Sequence, residues 1–282
     1  MQPELLTQAY VKACEIELLA FKPGNVSIYS AAHDMTAADF RLSAHASAAP
    51  LTNPHYTLGE KIYHAVRATR QAVHCNTNLG IILLCAPLLQ AAAHCEPGQS
   101  LRQALQQVLA GATRQDADWT YRAIRLAMPG GLGQAASQDV NQTPEVTLVQ
   151  AMALAETRDL IAYQYTHGFI HIFDFALLEY NRAFVSSGDS AWSALLVYCR
   201  LLSQYPDSHI ERKYERRFTD WVRAEMAALD HELQAASGLQ SVLPKLYQLD
   251  KTLKDRKINP GTTADLTVAT VLVALLKNLL EA

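Results

Sequence analysis

Glu17 is the first residue whose type and position could do chemistry. At about 100° per residue it shares a helical stripe with Leu6, Tyr10 and Ala13, whereas Glu15 falls on the opposite side. A carboxylate facing inward must be paired, hydrogen-bonded or metal-bound, because burying it alone is costly. Two readings follow from the stripe: a structural ion pair with an arginine of a neighbouring helix, or a base or electrostatic stabiliser in a site. Close behind it comes Lys22-Pro23-Gly24-Asn25, a cation and a tight turn at the end of a helix. Such a turn can hold phosphate oxygens on its backbone N–H groups, or it can simply stop the helix. His33-Asp34-Met35 follows, where Asp34 has the residue type of a helix N-cap.

Further along, Asn76-Thr77-Asn78-Leu79-Gly80 sets three polar side chains at the mouth of the apolar stretch Ile81 to Leu89. Capping accounts for one of them, and a ligand cleft would use the others. Pro129-Gly130-Gly131-Leu132-Gly133 contains a glycine string like a dinucleotide fingerprint, but the segment before it has helical periodicity, so the strand that fingerprint needs is missing. His167, His171 and Asp174 fall at i, i+4 and i+7; packed histidines explain them better than a metal set, which would lack the acidic residue of a zinc-protease motif. Asp207-Ser208 opens a helix that then presents Arg212 and Lys213, a surface pair or a phosphate clamp. Last, Asn259-Pro260-Gly261-Thr262-Thr263-Ala264-Asp265 leads into a helix that is almost wholly apolar. Thr262 and Thr263 can cap it, and a helix so apolar is central, which puts its N-terminus inside the fold.

The elements that must position these residues are helices. Helical periodicity runs over residues 3–21, 36–48, 57–75, 79–93, 100–110, 114–127, 145–156, 158–186, 190–204, 208–235, 239–255 and 262–281, and long strand-type alternation is absent. Neither a repeat nor a shift in composition marks a boundary, so the expectation is an all-α fold with residues 1–282 as a single multi-helix domain with buried central helices. A net charge of −3 gives no general attraction to nucleic acid or anionic membrane, which argues against those partners. The five cysteines are odd in number and widely spaced, and the N-terminal segment has no basic-then-apolar leader pattern. Together these features predict a reduced, cytoplasmic protein.

Taken in order, Glu17, the Lys22–Asn25 turn, His33-Asp34-Met35, Asn76-Thr77-Asn78 with Gly80, the 207–213 segment and the 259–266 string resemble the triphosphoribosyl-dephospho-CoA synthases. The resemblance extends from about residue 9 to residue 275. It implies an all-α transferase that takes ATP and 3′-dephospho-CoA, releases adenine and leaves a 2′-(5″-triphosphoribosyl) adduct. By that resemblance Glu17 and Asp34 are candidate catalytic residues, and Asp34 and Asp265 are candidate ligands for Mg²⁺. Lys22, Arg212 and Lys213 would meet phosphates. Gly24, Asn25, His33, Asn76, Asn78, Gly130, Gly131, Asp207, Asn259, Gly261, Thr262 and Thr263 would shape the nucleotide site.

Two departures stand out. Leu79 replaces a lysine expected before Gly80, and Gly130-Gly131-Leu132-Gly133 replaces a Gly-Ala-Arg string. Losing two charge-assisted contacts of about 1.5–3 kcal/mol each is enough to alter substrate choice. The chain in this respect resembles a divergent branch, the synthase-like proteins of methylotroph one-carbon cofactor gene clusters. The alternatives are therefore a nucleotide-dependent transferase acting on a pterin or similar precursor, and a helical nucleotide-binding protein without catalysis. A homodimer is the assembly left open.

Overall fold

The computed structural model describes residues 1–32, 34–130, 137–236 and 238–281. The helices are α1 (Pro3–Leu19), α2 (Ala37–Thr52), α3 (Leu58–Val73), α4 (Leu79–His94), α5 (Leu101–Ala110), α6 (Arg114–Ala127), α7 (Leu148–Ala153), α8 (Leu160–Thr166), α9 (Leu177–Ser187), α10 (Ser190–Gln204), α11 (Ser208–Tyr214), α12 (Thr219–Ala235), α13 (Leu239–Asp255) and α14 (Gly261–Glu281). A π-helical turn, His171–Ala176, runs into α9, and a 3-10 turn, Glu215–Phe218, precedes α12. Among the described residues, extended pairing is limited to two isolated bridges, Ser27 with Ser30 and Ala32 with Met35. The all-α expectation therefore holds.

Five helix starts are written into the sequence as reciprocal caps. Thr36 with Asp39, Thr57 with Glu60, Ser100 with Gln103, Thr113 with Asp116 and Thr147 with Gln150 each satisfy two first-turn donors. Thr36 thus takes the cap position of α2 that Asp34 was expected to fill. Asp34 sits two residues earlier at φ 62°, in the left-handed region, whereas an N-cap needs extended backbone.

Two long helical runs are each split by positive φ. The 158–186 run breaks after α8, where Gly168 and Phe169 have φ 58° and 59°, and the 208–235 run breaks at Glu215, φ 54°. The first break undoes the single face on which His167, His171 and Asp174 were expected. His171 instead stacks between Tyr163 and Tyr205 and bonds Gln164, while Asp174 pairs with Arg102.

The core forms around two apolar helices, α4 and α14. α14 packs on α1, α4, α9 and α10, and its Val268, Ala269, Val271, Leu272 and Leu276 are fully enclosed. By length and composition α14 could cross a membrane, yet two-thirds of that window (67%) lies inside the fold, the signature of a core helix. Cys14, Cys85 and Cys199 are buried in the same core as free thiols, with burial pushing each one upward in pKa. The consequence for function is positional: α4 and α14 begin side by side, so the polar residues at their N-termini are delivered to one place inside the molecule.

Candidate active site

Glu17 stands on the last turn of α1 and is buried, as the stripe requires. Its partner is not an arginine from another helix but Lys22, five residues on, with Nζ 3.2 Å from Oε1. Lys22 is fully enclosed, and its ammonium also donates to the carbonyls of Glu17 (2.7 Å), Val26 (2.8 Å) and Ala20 (3.3 Å). A neutral amine would turn a lone pair toward these acceptors, so the surroundings select the charged form. Burial raises the Glu17 carboxyl and lowers the Lys22 ammonium; each is pulled back by the other's charge. Lys22 is therefore spent on holding the end of α1 and does not reach the cavity described below.

The turn that follows is pinned from several sides. Gly24 N–H donates to Asp250 of α13 at 2.9 Å, the Tyr198 hydroxyl donates to the Pro23 carbonyl, and Asn25 Nδ2 donates to Asn259 Oδ1 at 2.8 Å. Gly24 has φ +82°, and a Cβ there would press on Leu253 and Pro260 at 3.0 Å, so its role is steric closure of the turn. The Asn25–Asn259 bond joins the two Pro-Gly turns.

A second seam aligns α8, α11 and α14. Asp207 is buried and accepts four hydrogen bonds: from the His209 and Ile210 amides at the start of α11, and from the Thr263 amide and hydroxyl at the start of α14. Burial raises its carboxyl, and these donors oppose the rise. Ser208 Oγ donates to Thr262 Oγ1 and accepts from the Leu160 amide. Asp207 and Thr263 thus act as the seam itself; the donor to Asp207 at the start of α14 is Thr263, and the cap comes from another helix.

At the start of α4, Asn76 Oδ1 accepts the Leu79 amide and so does the capping. Asn78 turns into the protein toward Ser47 Oγ and the Ser43 carbonyl, and Thr77 bonds Ser43. Gly80 faces α14 closely: a Cβ at this position would lie 1.9 Å from Asp265 Oδ2.

These pieces surround a cavity of about 620 Å³. Glu17, Asn25, Asn76 and Gly130 line it, as do Arg212, Asn259, Gly261, Thr262 and Asp265. Lys22, Gly24, Asn78, Asp207 and Thr263 lie behind its wall, and Lys213 turns to the ring of Tyr214. Asp34 is exposed on the Ala32–Met35 turn and is not brought to the cavity, although Met35 is. His33 and Gly131 lie outside the described residues.

Several lining residues carry no motif in the sequence. Asp159 caps α8 with Oδ1 and pairs with Arg212 through Oδ2 at 3.2 Å. Arg158 and Arg216 line the same space as Arg212, and Tyr121, Asp139, His209, Glu211 and Glu215 add to the polar part of the wall. Arg212 Nε is buried and has no hydrogen-bond partner among the described residues, an orphaned donor beside the cavity. Asp265 faces the cavity with its carboxyl driven well upward by burial and then by the charges of Asp207, Glu17 and Asp159, against the pull of Arg212. A crowded carboxylate beside Arg212, in a cavity that Arg158 and Arg216 also line, is an arrangement that can hold an anion and move a proton. Among the described residues no group of three or more His, Cys, Asp or Glu side chains is placed to hold a metal by itself.

The chain matches the CitG family model, ATP:dephospho-CoA triphosphoribosyl transferase, over residues 3–282. It belongs to that family. As a CitG-family member it is an ATP-dependent transferase, and the cavity is the candidate active site. A crystal structure from Archaeoglobus fulgidus, provisionally described as a triphosphoribosyl-dephospho-CoA synthase, shares the fold at a TM-score of 0.64 and 21% identity, covering 83% of this chain and 97% of that one. No curated protein sequence matches the chain. The cavity-lining residues that periodicity could not reveal, Arg158, Asp159 and Arg216, sit in turns between helices. The acidic N-cap type of Asp159 was the only local signal for them.

Proposed function

We propose that the whole chain forms one catalytic domain whose cavity binds ATP and transfers its 5-triphosphoribosyl unit to a ribose hydroxyl of 3′-dephospho-CoA. The carrying observation is that Glu17, Asp265 and the arginines Arg158, Arg212 and Arg216 all line one cavity. In this reading the triphosphate lies toward the arginines, where Arg212 Nε finds the acceptor it lacks. The bond from ribosyl C1′ to the adenine nitrogen breaks while the bond from C1′ to the acceptor oxygen forms. The transition state carries oxocarbenium character, which nearby carboxylates stabilise. Glu17, held by Lys22, takes the hydroxyl proton, and the departing adenine regains a proton at its ring nitrogen.

Mg²⁺ enters this proposal with the substrate. A magnesium ion commonly uses one or two protein carboxylates together with substrate phosphates and water. Asp265, whose carboxyl group accepts no hydrogen bond among the described residues and faces the cavity, is the carboxylate that fits that need.

The acceptor has a second reading. Leu79, where the resemblance expects a lysine, lines the cavity beside Met35, Phe40, Ile124, Leu148 and Met152. That apolar wall favours a flat cofactor precursor such as a pterin over a further phosphate. Incubating the protein with ATP, Mg²⁺ and each acceptor, followed by mass spectrometry, decides between them. The dephospho-CoA reading expects free adenine together with the triphosphoribosyl adduct. Adenine released only in the presence of a pterin-type acceptor would replace it with the second reading, and ATP left intact with both would remove both.

A further inference from the structure

We propose that Gly80 is a positioning residue, its missing side chain providing the space in which the Asp265 carboxyl group is seated against the first turn of α4. The proposal rests on the reading of the cavity as the active site and adds a residue to it. A Cβ on residue 80 would stand 1.9 Å from Asp265 Oδ2 and 2.5 Å from its Cγ, with Ile161 Cδ1 next at 2.9 Å. Because Cγ is obstructed as well as the oxygen, spinning the carboxyl group about its own axis gives no relief. The whole group would have to swing off α4.

The backbone gives no reason for glycine at this place. Residue 80 lies inside α4 without a left-handed φ, and alanine is the better helix former there by about 1 kcal/mol. Gly59 offers the contrast. Its Cβ would strike the backbone of Asp116 at 2.6 Å, so that glycine serves close packing of α3 on α6. At Gly80 the nearest obstruction is instead a cavity-lining side chain. The seat also sets the carboxyl group beside the first-turn amides of α4, where the helix dipole favours negative charge.

The test is a cycle of Gly80→Ala, Asp265→Ala and the double variant, read by thermal unfolding without substrate and by steady-state kinetics. Gly80→Ala alone is expected to lower Tm and to reduce kcat about 10-fold or more, with KM for ATP changed much less, because displacing a reacting group by about 1 Å can cost that much. In the Asp265→Ala background the same substitution should lower Tm much less, since only the end of the Ile161 side chain, 2.9 Å away, is left to give way. An equal Tm loss in both backgrounds would overturn the proposal and make Gly80 a packing glycine. So would wild-type turnover by Gly80→Ala in an enzyme that Asp265→Ala inactivates. Failure of the underlying functional reading looks different: Asp265→Ala would then keep full activity, while the Tm cycle would still report whether the seat exists.

Discussion

Lys22 holds Glu17 at both ends, its ammonium 3.2 Å from the side-chain oxygen Oε1 and 2.7 Å from the same residue's backbone carbonyl. One buried cation therefore fixes where α1 stops and which way its last carboxylate points. Removing it leaves a buried carboxylate unpaired and three carbonyls without their donor, a change that costs about 3–5 kcal/mol. Lys22→Met is expected to lose that much stability in urea unfolding. Glu17→Gln keeps the shape and the backbone contacts of Lys22 but removes its counter-charge, so it should lose less stability than Lys22→Met, remain folded and lose activity.

Arginine at 212 is expected to act on substrate binding. Arg212→Ala should raise KM for ATP about 10-fold to 100-fold, the equivalent of one or two charge-assisted contacts, with a smaller change in kcat. Titration of initial rate against ATP concentration measures it. A KM unchanged within error would take Arg212 out of the phosphate site.

Asp207 carries a structural prediction. Four donors converge on its two oxygens, joining the starts of α11 and α14. Asparagine would turn an NH₂ toward two of them, so Asp207→Asn should destabilise the protein by about 2 kcal/mol. Loss of Tm should be accompanied by lower affinity for ATP, because the same seam sets the position of Thr262 and Asp265 at the cavity wall.

The pH dependence of stability has an identifiable contributor in His171. Burial first, and then the neighbouring His167, depress its imidazole from 6.5 to about 4. A depressed folded-state value means that the unfolded chain takes up the proton first. The contribution of His171 is therefore present above about pH 6.5 and is lost as pH falls toward 4. His171→Phe retains an aromatic ring between Tyr163 and Tyr205 and should flatten the decline of Tm between pH 7 and pH 5. An unchanged decline would assign it to other groups.

The helical elements were legible because caps and periodicity are local. Thr57 with Glu60 and Thr113 with Asp116 announce their helices within four residues, and the inward face of Glu17 follows from 3.6-residue geometry alone. What lies in turns was not legible. Lys22 carries the residue type of a phosphate ligand, but its burial depends on the path taken by residues 23–26, which brings the Val26 carbonyl back over it. Asp34 looked like a cap and a metal ligand, yet a left-handed φ places it on the surface. Arg158 reaches the cavity from the turn ahead of α8, and Arg216 from the 3-10 turn where the 208–235 run breaks at Glu215. That break depends on tertiary packing rather than on any strong local signal.

The central claim is that a carboxylate pair in this cavity drives loss of adenine from ATP. Chromatographic measurement of free adenine, with ATP, Mg²⁺ and 3′-dephospho-CoA supplied to the wild type and to Glu17→Gln, tests it most directly. The account predicts steady adenine release by the wild type and a loss of about 100-fold or more in the folded variant. Equal adenine release by both proteins, or none by the wild type, would contradict it.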